Sequence, residues 1–243
     1  LYLMDVATGK KSDIDVIEGA KYASASWTPK GDGFYYTWLP VDKSIKISAR
    51  PGFAEVRFHP LGADPKKDTI VVPKTGDPTK FINAEISRDG RFLLRYVHHG
   101  WTASDVYFRD LKSGKKDAWT PLAEGRKAHF NVEVFNGKLY VHSDEDAPRF
   151  RVFEVDPAKP ERKAWKEVIA ERKDATLEAV SIIGGKFALS YLKNASRVLE
   201  IRELDGKLVR EVPLPGIGSV GGQVGLISRL NRIRCRVRFI RHR

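Results

Sequence analysis

The sequence predicts an all-β fold and, within that class, a β-propeller. Three observations carry the prediction. A short turn that leads into an apolar strand start recurs as Gly31-Asp32-Gly33-Phe34, Asp89-Gly90-Arg91-Phe92, Asn136-Gly137-Lys138-Leu139 and Gly184-Gly185-Lys186-Phe187. The apolar landmarks of these turns lie 58, 47 and 48 residues apart, near the spacing of about 40–50 residues expected of a propeller blade with several strands. Strand-like segments follow one another with turn punctuation, and no long segment keeps a helical period.

The elements follow in order. Leu1-Tyr2-Leu3-Met4-Asp5-Val6 reads as one strand, stopped by the turn Ala7-Thr8-Gly9-Lys10. It reads as the middle of a strand rather than a natural start, so upstream sequence is expected. A first blade is expected at about 22–73, with strands at Ala23 to Trp27, Phe34 to Trp38, Glu55 to His59 and Thr69 to Val72. An insertion at 40–52, carrying Pro40, Pro51 and Gly52, lengthens its first interval. A second blade is expected at about 81–122, with strands at Ile82 to Ile86, Arg91 to Val97, Asp105 to Arg109 and Lys116 to Trp119. A third is expected at about 128–170, including Lys138 to His142 and Arg151 to Val155. A fourth is expected at about 175–215, including Phe187 to Tyr191, Val198 to Arg202 and Leu208 to Val212. The third strand of a blade runs into an acid-and-turn stop, as in Phe108-Arg109-Asp110-Leu111-Lys112-Ser113-Gly114, Phe153-Glu154-Val155-Asp156-Pro157 and Glu203-Leu204-Asp205-Gly206. Tight reversals between antiparallel strands favour Asp, Asn and Gly, which tolerate positive φ. Ile217 to Gly225 could start a fifth unit, giving four to five blades.

Composition bounds the function. The chain has 243 residues, 42% apolar and 30% charged, enough for a core under a soluble surface. No run approaches the eighteen or so apolar residues that a membrane span needs, and no signal peptide is visible. The single cysteine, Cys235, excludes an intrachain disulfide and a cysteine-based zinc cage. The net charge of +12 resembles a nucleic-acid footprint until it is divided. Residues 227–243 hold seven Arg and no acid, which leaves the other 226 residues with 36 basic and 31 acidic side chains, a net of +5.

Candidate chemistry is sparse. None of the six histidines, His59, His98, His99, His129, His142 and His242, stands at metal-ligand spacing from another His or Cys. They are expected to be isolated surface or strand residues, with His98 and His99 on opposite strand faces, and neither a metal nor a cofactor is expected. Gly216-Ile217-Gly218-Ser219-Val220-Gly221-Gly222 approaches a nucleophile elbow but has Ile217 where the first Gly belongs. It also matches Gly-x-Gly-x-x-Gly, yet Pro213 and Pro215 precede it and no acid follows in 227–243, so a dinucleotide site is not expected. Most tryptophans suit packing between blades. Trp101 differs: it follows His98-His99-Gly100 where a strand ends and a loop begins, so it could project at one rim.

Several runs together resemble the propeller of the prolyl oligopeptidases, the prolyl endopeptidase serine peptidases, and the bacterial members look closest. They are Val16-Ile17-Glu18-Gly19-Ala20-Lys21-Tyr22 with Trp27-Thr28-Pro29 and Gly33-Phe34-Tyr35-Tyr36, then Glu85-Ile86-Ser87-Arg88-Asp89-Gly90-Arg91-Phe92-Leu93-Leu94, then Ala147-Pro148-Arg149-Phe150-Arg151-Val152-Phe153-Glu154-Val155-Asp156-Pro157, and Leu204-Asp205-Gly206-Lys207-Leu208-Val209-Arg210. The resemblance covers residues 1 to about 226. It implies four to five blades of a seven-bladed, here incomplete, propeller. It implies a partner α/β-hydrolase domain with a Ser-Asp-His triad that cleaves short peptides after proline, the propeller covering the active site and excluding folded proteins. No elbow serine or triad is recognised in these residues, so no catalytic residue is assigned and the isolated chain is expected to be inactive. The implied partners are short proline-containing peptides and the protein's own hydrolase domain, with no nucleic acid and no membrane. The compartment stays open between cytoplasm and periplasm. Two peptide-facing positions of the family fall at Tyr22 and Trp101, with His98 as a weaker neighbour; packing at a blade rim is the competing role for all three.

The resemblance stops after Leu226, where composition changes abruptly. Residues 227–243 are expected to be non-native or disordered, as translation in a shifted reading frame would produce. A genuine basic arm for nucleic acid or anionic membrane is the rival reading. For the whole chain, the alternative to a peptidase propeller is a non-catalytic propeller that binds protein partners.

Overall fold

A computed structural model describes residues 1–20, 23–113, 118–214, 216, 219–221 and 238–240, the last two segments as backbone alone. The described residues fall into two units, Leu1–Lys127 and Ala128–Arg243.

In the first unit, β1 (Tyr2–Met4) pairs antiparallel with β2 (Lys11–Val16). Asp5 closes the turn between them, its Oδ1 accepting from the Thr8 amide at 2.7 Å and the Thr8 hydroxyl at 2.8 Å. The first four-stranded sheet follows as β3 (Ser26–Trp27), β4 (Gly33–Trp38), β5 (Glu55–Pro60) and β6 (Thr69–Val72), neighbours in sequence being neighbours in space. The insertion before β5 is filled by a 3-10 turn over Ile47–Phe53. The second sheet repeats the plan with β7 (Lys80–Ile86), β8 (Phe92–His99), β9 (Ala103–Asp110) and β10 (Thr120–Ala123).

The second unit holds two more such sheets. One is β11 (Phe130–Phe135), β12 (Lys138–Ser143), β13 (Arg151–Val155) and β14 (Lys166–Ile169). The other is β15 (Thr176–Ile183), β16 (Lys186–Lys193), β17 (Ser196–Arg202) and β18 (Leu208–Val212). After them β19 (Ser219–Gly221) pairs with β20 (Arg238–Ile240). All pairings are antiparallel, so each sheet is a meander closed by short reversals, the form of a propeller blade. The fold class is therefore the all-β, propeller-type class that the turn repeat predicts.

The repeat works through backbone conformation. Phe135 pairs with Lys138 across Asn136-Gly137, and Ile183 pairs with Lys186 across Gly184-Gly185. Both turn residues of each pair have positive φ, 48° and 72° in the first and 58° and 76° in the second. A two-residue hairpin loop needs that conformation to match strand twist.

Two strands differ from the sequence reading. β2 occupies Lys11–Val16, where the sequence reading places no strand. The last strand of the second sheet begins at Thr120, after Trp119 rather than through it. Trp119 instead lies beneath the Arg109 guanidinium at 4.2 Å. Pro121 sits within β10, which is an end strand where a missing N–H is tolerated.

Apolar faces of consecutive sheets form the cores. Ala54, Val56 and Val72 meet Ile82, Ala84, Leu93 and Val97 between the first and second sheets. In the second unit, Tyr140, Val152 and Ile169 meet Leu177, Phe187 and Tyr191, with the Tyr140 and Phe187 rings edge-on at 5.3 Å. Each fully buried side chain of this size contributes about 1.5–3 kcal/mol, so within each unit the packing of one sheet on the next is strongly stabilising. Among the described residues, no helix is long and apolar enough to cross a membrane.

Candidate functional site

The β8–β9 hairpin carries two of the three residues that the sequence points to. Its register runs to His99 opposite Ala103, and the chain reverses through Gly100, Trp101 and Thr102. Gly100 takes φ +59°, and the Thr102 hydroxyl donates to the His99 carbonyl oxygen at 3.1 Å. The turn therefore leaves Trp101 with 94% of its surface exposed, the most exposed tryptophan among the described residues. A large apolar ring held in water at a hairpin tip is a surface suited to contact.

His98 is fixed rather than projecting. Its Nε2 lies 2.9 Å from Asn83 Oδ1, so that nitrogen carries the proton and donates, and its ring stacks on Tyr96 with centroids 6.0 Å apart. His99 points to the other face of β8, where its Nε2 meets Asp105 Oδ2 at 2.7 Å. Asp105 in turn accepts the Gly125 amide at 2.8 Å. Tyr22 lies outside the described residues.

Beside this hairpin is a pocket of about 340 Å³, lined by residues 24–26, Thr37 and residues 83–86. Asn83, which holds His98, belongs to its wall, so the His98 side of the hairpin and the pocket share one element. The segment after Tyr22 contributes to the lining through Ser24, Ala25 and Ser26.

One cluster carries no sequence signal, and it corrects the reading of the histidines as isolated. His59 on β5 is fully buried between two carboxylates. Its Nε2 lies 2.9 Å from Asp15 Oδ1 on β2, and its Nδ1 lies 2.8 Å from Asp68 Oδ1 just before β6. Asp68 also accepts the Tyr36 hydroxyl at 2.7 Å, and Asp15 accepts the Ser12 hydroxyl at 2.5 Å and the Gly62 amide at 2.6 Å. Burial works against ionising Asp15, but the Ser12 hydroxyl, His59 and the Gly62 amide outweigh it and hold the carboxyl below its ordinary range. Burial and Asp68 together push the Tyr36 phenol well above its ordinary value. His129 and His142 are partnered as well, by Asp144 at 2.8 Å and by the Leu177 carbonyl at 3.0 Å.

The His59 cluster is closed chemistry. The two carboxylates grip opposite edges of the imidazole instead of converging on one point. Among the described residues, no three His, Cys, Asp or Glu side chains form a metal-sized group.

Comparison with known proteins agrees with this architecture. The family model described as "Prolyl oligopeptidase, N-terminal beta-propeller domain" matches residues 1–229. The prolyl endopeptidase of Elizabethkingia meningoseptica is 31% identical over 227 residues, covering 91% of this chain and 31% of its own length. That of Elizabethkingia miricola is 29% identical over 226 residues, with the same coverages of 91% and 31%. A solved structure from a study of two prolyl endopeptidases and their inter-domain dynamics is 48% identical with a TM-score of 0.87, covering 93% of this chain and 33% of that one. Prolyl oligopeptidase B from Galerina marginata, solved with a 25mer macrocyclization substrate, shares the fold at a TM-score of 0.75 and 19% identity, over 84% of this chain and 29% of its own. The chain thus spans about a third of the length of these relatives. With the family match running almost from end to end of four blade-like meanders, the chain belongs to the prolyl oligopeptidase family, as N-terminal β-propeller sequence.

Proposed function

We propose that this chain is the propeller part of a serine endopeptidase that cleaves short peptides after proline. In that role it limits access to a hydrolase domain and forms part of the wall on which the peptide lies. The observation that carries the reading is the family match over residues 1–229. Trp101, exposed at the β8–β9 turn, is the peptide contact, with His98 behind it on β8, and Tyr22 takes the same peptide-facing role on the family resemblance alone. His98 acts by position: its bond to Asn83 and its stack on Tyr96 stiffen the strand that presents Trp101.

The test uses a proline-containing chromogenic peptide. The purified chain should not hydrolyse it, and the enzyme encoded with its downstream hydrolase sequence should. In that enzyme, Trp101→Ala should raise KM about three- to tenfold and change kcat less than twofold, because it removes binding common to ground and transition states. Turnover by the chain alone, or an unchanged KM in the variant, refutes the assignment. A coding sequence that ends after the last blade, with no Gly-x-Ser-x-Gly-Gly beyond it, would mark a non-catalytic binding propeller instead.

A further inference from the structure

β7 is an end strand of its sheet, with β8 on one side only. In an antiparallel ladder, alternate residues turn both backbone groups towards the partner and the residues between turn both away. Two side-chain bonds identify the outward set. The Thr37 hydroxyl donates to the Ile82 carbonyl oxygen at 3.0 Å, and the Ile86 amide donates to Ser26 Oγ at 2.9 Å. Ala84 lies midway between them, so its N–H and C=O point out of the same edge. The edge is therefore closed by hydroxyls at both ends and open in the middle. Ala84 lines the pocket of about 340 Å³, and no described residue supplies a hydrogen bond to its outward N–H or C=O.

The chemistry of this opening is specific. A donor and an acceptor side by side on one residue match the acceptor and donor of one residue in an extended chain. That exchange of two bonds is the unit of strand addition to a sheet edge, in which backbone contacts give the affinity. Ser24, Ala25 and Ser26, which line the pocket with Ala84, have only small side chains. The volume lies at the lower end of the roughly 300–1,000 Å³ typical of ligand clefts, which suits a short segment.

We propose that this pocket holds the backbone of a short extended peptide, one residue of which exchanges two hydrogen bonds with Ala84. The inference rests on the peptide-handling function given above, and it adds a constraint. The paired residue must carry an N–H, so it cannot be proline. The pocket grips the peptide away from the residue after which it is cut.

The test needs no hydrolysis. The isotopically labelled chain is titrated with the pentapeptide Gly-Ala-Ala-Ala-Gly and, separately, with the same peptide N-methylated at its central alanine. With the first peptide the Ala84 amide resonance should move downfield and its hydrogen exchange should slow. N-methylation removes one donor and should weaken binding at least about fivefold, the worth of one hydrogen bond. Ser24→Trp should block the pocket and abolish the Ala84 response while the thermal unfolding curve is unchanged. Equal affinity for the two peptides overturns the proposal. So does an Ala84 resonance that stays still while others shift; shifts confined to the Trp101 turn would do this and leave the peptide-contact role of Trp101 standing. A chain that passes this test but shows no turnover when joined to its hydrolase sequence would instead refute the peptidase assignment alone.

Discussion

His142 on β12 is a buried histidine that the fold keeps neutral. It is 7% exposed, its Nε2–H donates to the Leu177 carbonyl oxygen of β15 at 3.0 Å, and its ring lies 4.6 Å from that of Phe150. Loss of hydration pushes its pKa down to about 4, against the smaller opposing pull of the Leu177 bond and Asp144. A folded-state pKa below the ordinary 6.5 means that the unfolded chain binds the proton more tightly. The stabilisation is therefore complete above about pH 6.5 and is lost as pH falls towards 4. At about 1.36 kcal/mol for each pH unit of separation, the loss is about 3 kcal/mol at most. Urea unfolding at pH 7, 5.5 and 4 checks this. His142→Gln keeps a donor for Leu177 but cannot titrate, so its stability should fall less steeply over that window. Parallel pH profiles for the two proteins would show that His142 is not the group responsible.

At the scale of elements, β2 is pinned to the first sheet by buried charge rather than by apolar area. Its outward residues Ile14 and Val16 are more than half exposed, whereas Asp15 is buried against His59. Removing the imidazole leaves two carboxylates in a dry site, so His59→Ala should cost about 3–5 kcal/mol. Tyr36→Phe removes one donor from Asp68 and should cost about 1–3 kcal/mol. Denaturant titration of both variants measures the two losses; a His59→Ala protein as stable as its parent would show that the cluster does not hold β2. Because Asp15 is held below its ordinary pKa, its part of the stabilisation is present above about pH 4 and disappears in more acid solution. The cluster also shows what a sequence can reveal. Asn136-Gly137 and Gly184-Gly185 announced their hairpins because the signal is local: two adjacent residues that accept positive φ. β2 stayed hidden because Lys-Ser-Asp-Ile-Asp-Val lacks strand propensity, and its partner for Asp15 lies 44 residues further on. Trp101 was legible as an aromatic just past a strand end, but His98 gave no hint that it would be tied to Asn83 across the β7–β8 pair. The Ala84 edge was invisible for a different reason: its chemistry lies in the backbone, which is the same for nearly every residue.

At the scale of the whole molecule, two boundaries nearly coincide. The family match ends at residue 229, and the run of seven arginines occupies 227–243. Without that run the chain carries a net charge of +5, spread over 226 residues. The one described link between the run and the preceding chain is the pairing of β20 with β19, three residues on each side. A two-stranded pair of that size is marginal by itself, so the four sheets should not depend on it. If residues 227–243 are a genuine basic arm, the full chain should adhere to duplex DNA of any sequence at low salt. If all seven arginines reach phosphates, the logarithm of affinity should fall with the logarithm of salt at a slope of about −6. A chain ending at Leu226 should lose that adhesion and keep its unfolding free energy, measured in urea, within about 0.5 kcal/mol of the parent. Adhesion that survives the truncation would place the basic surface on the blades. A lower unfolding free energy would instead make β20 a working part of the propeller, and residues 227–243 would then count as fold rather than appendage.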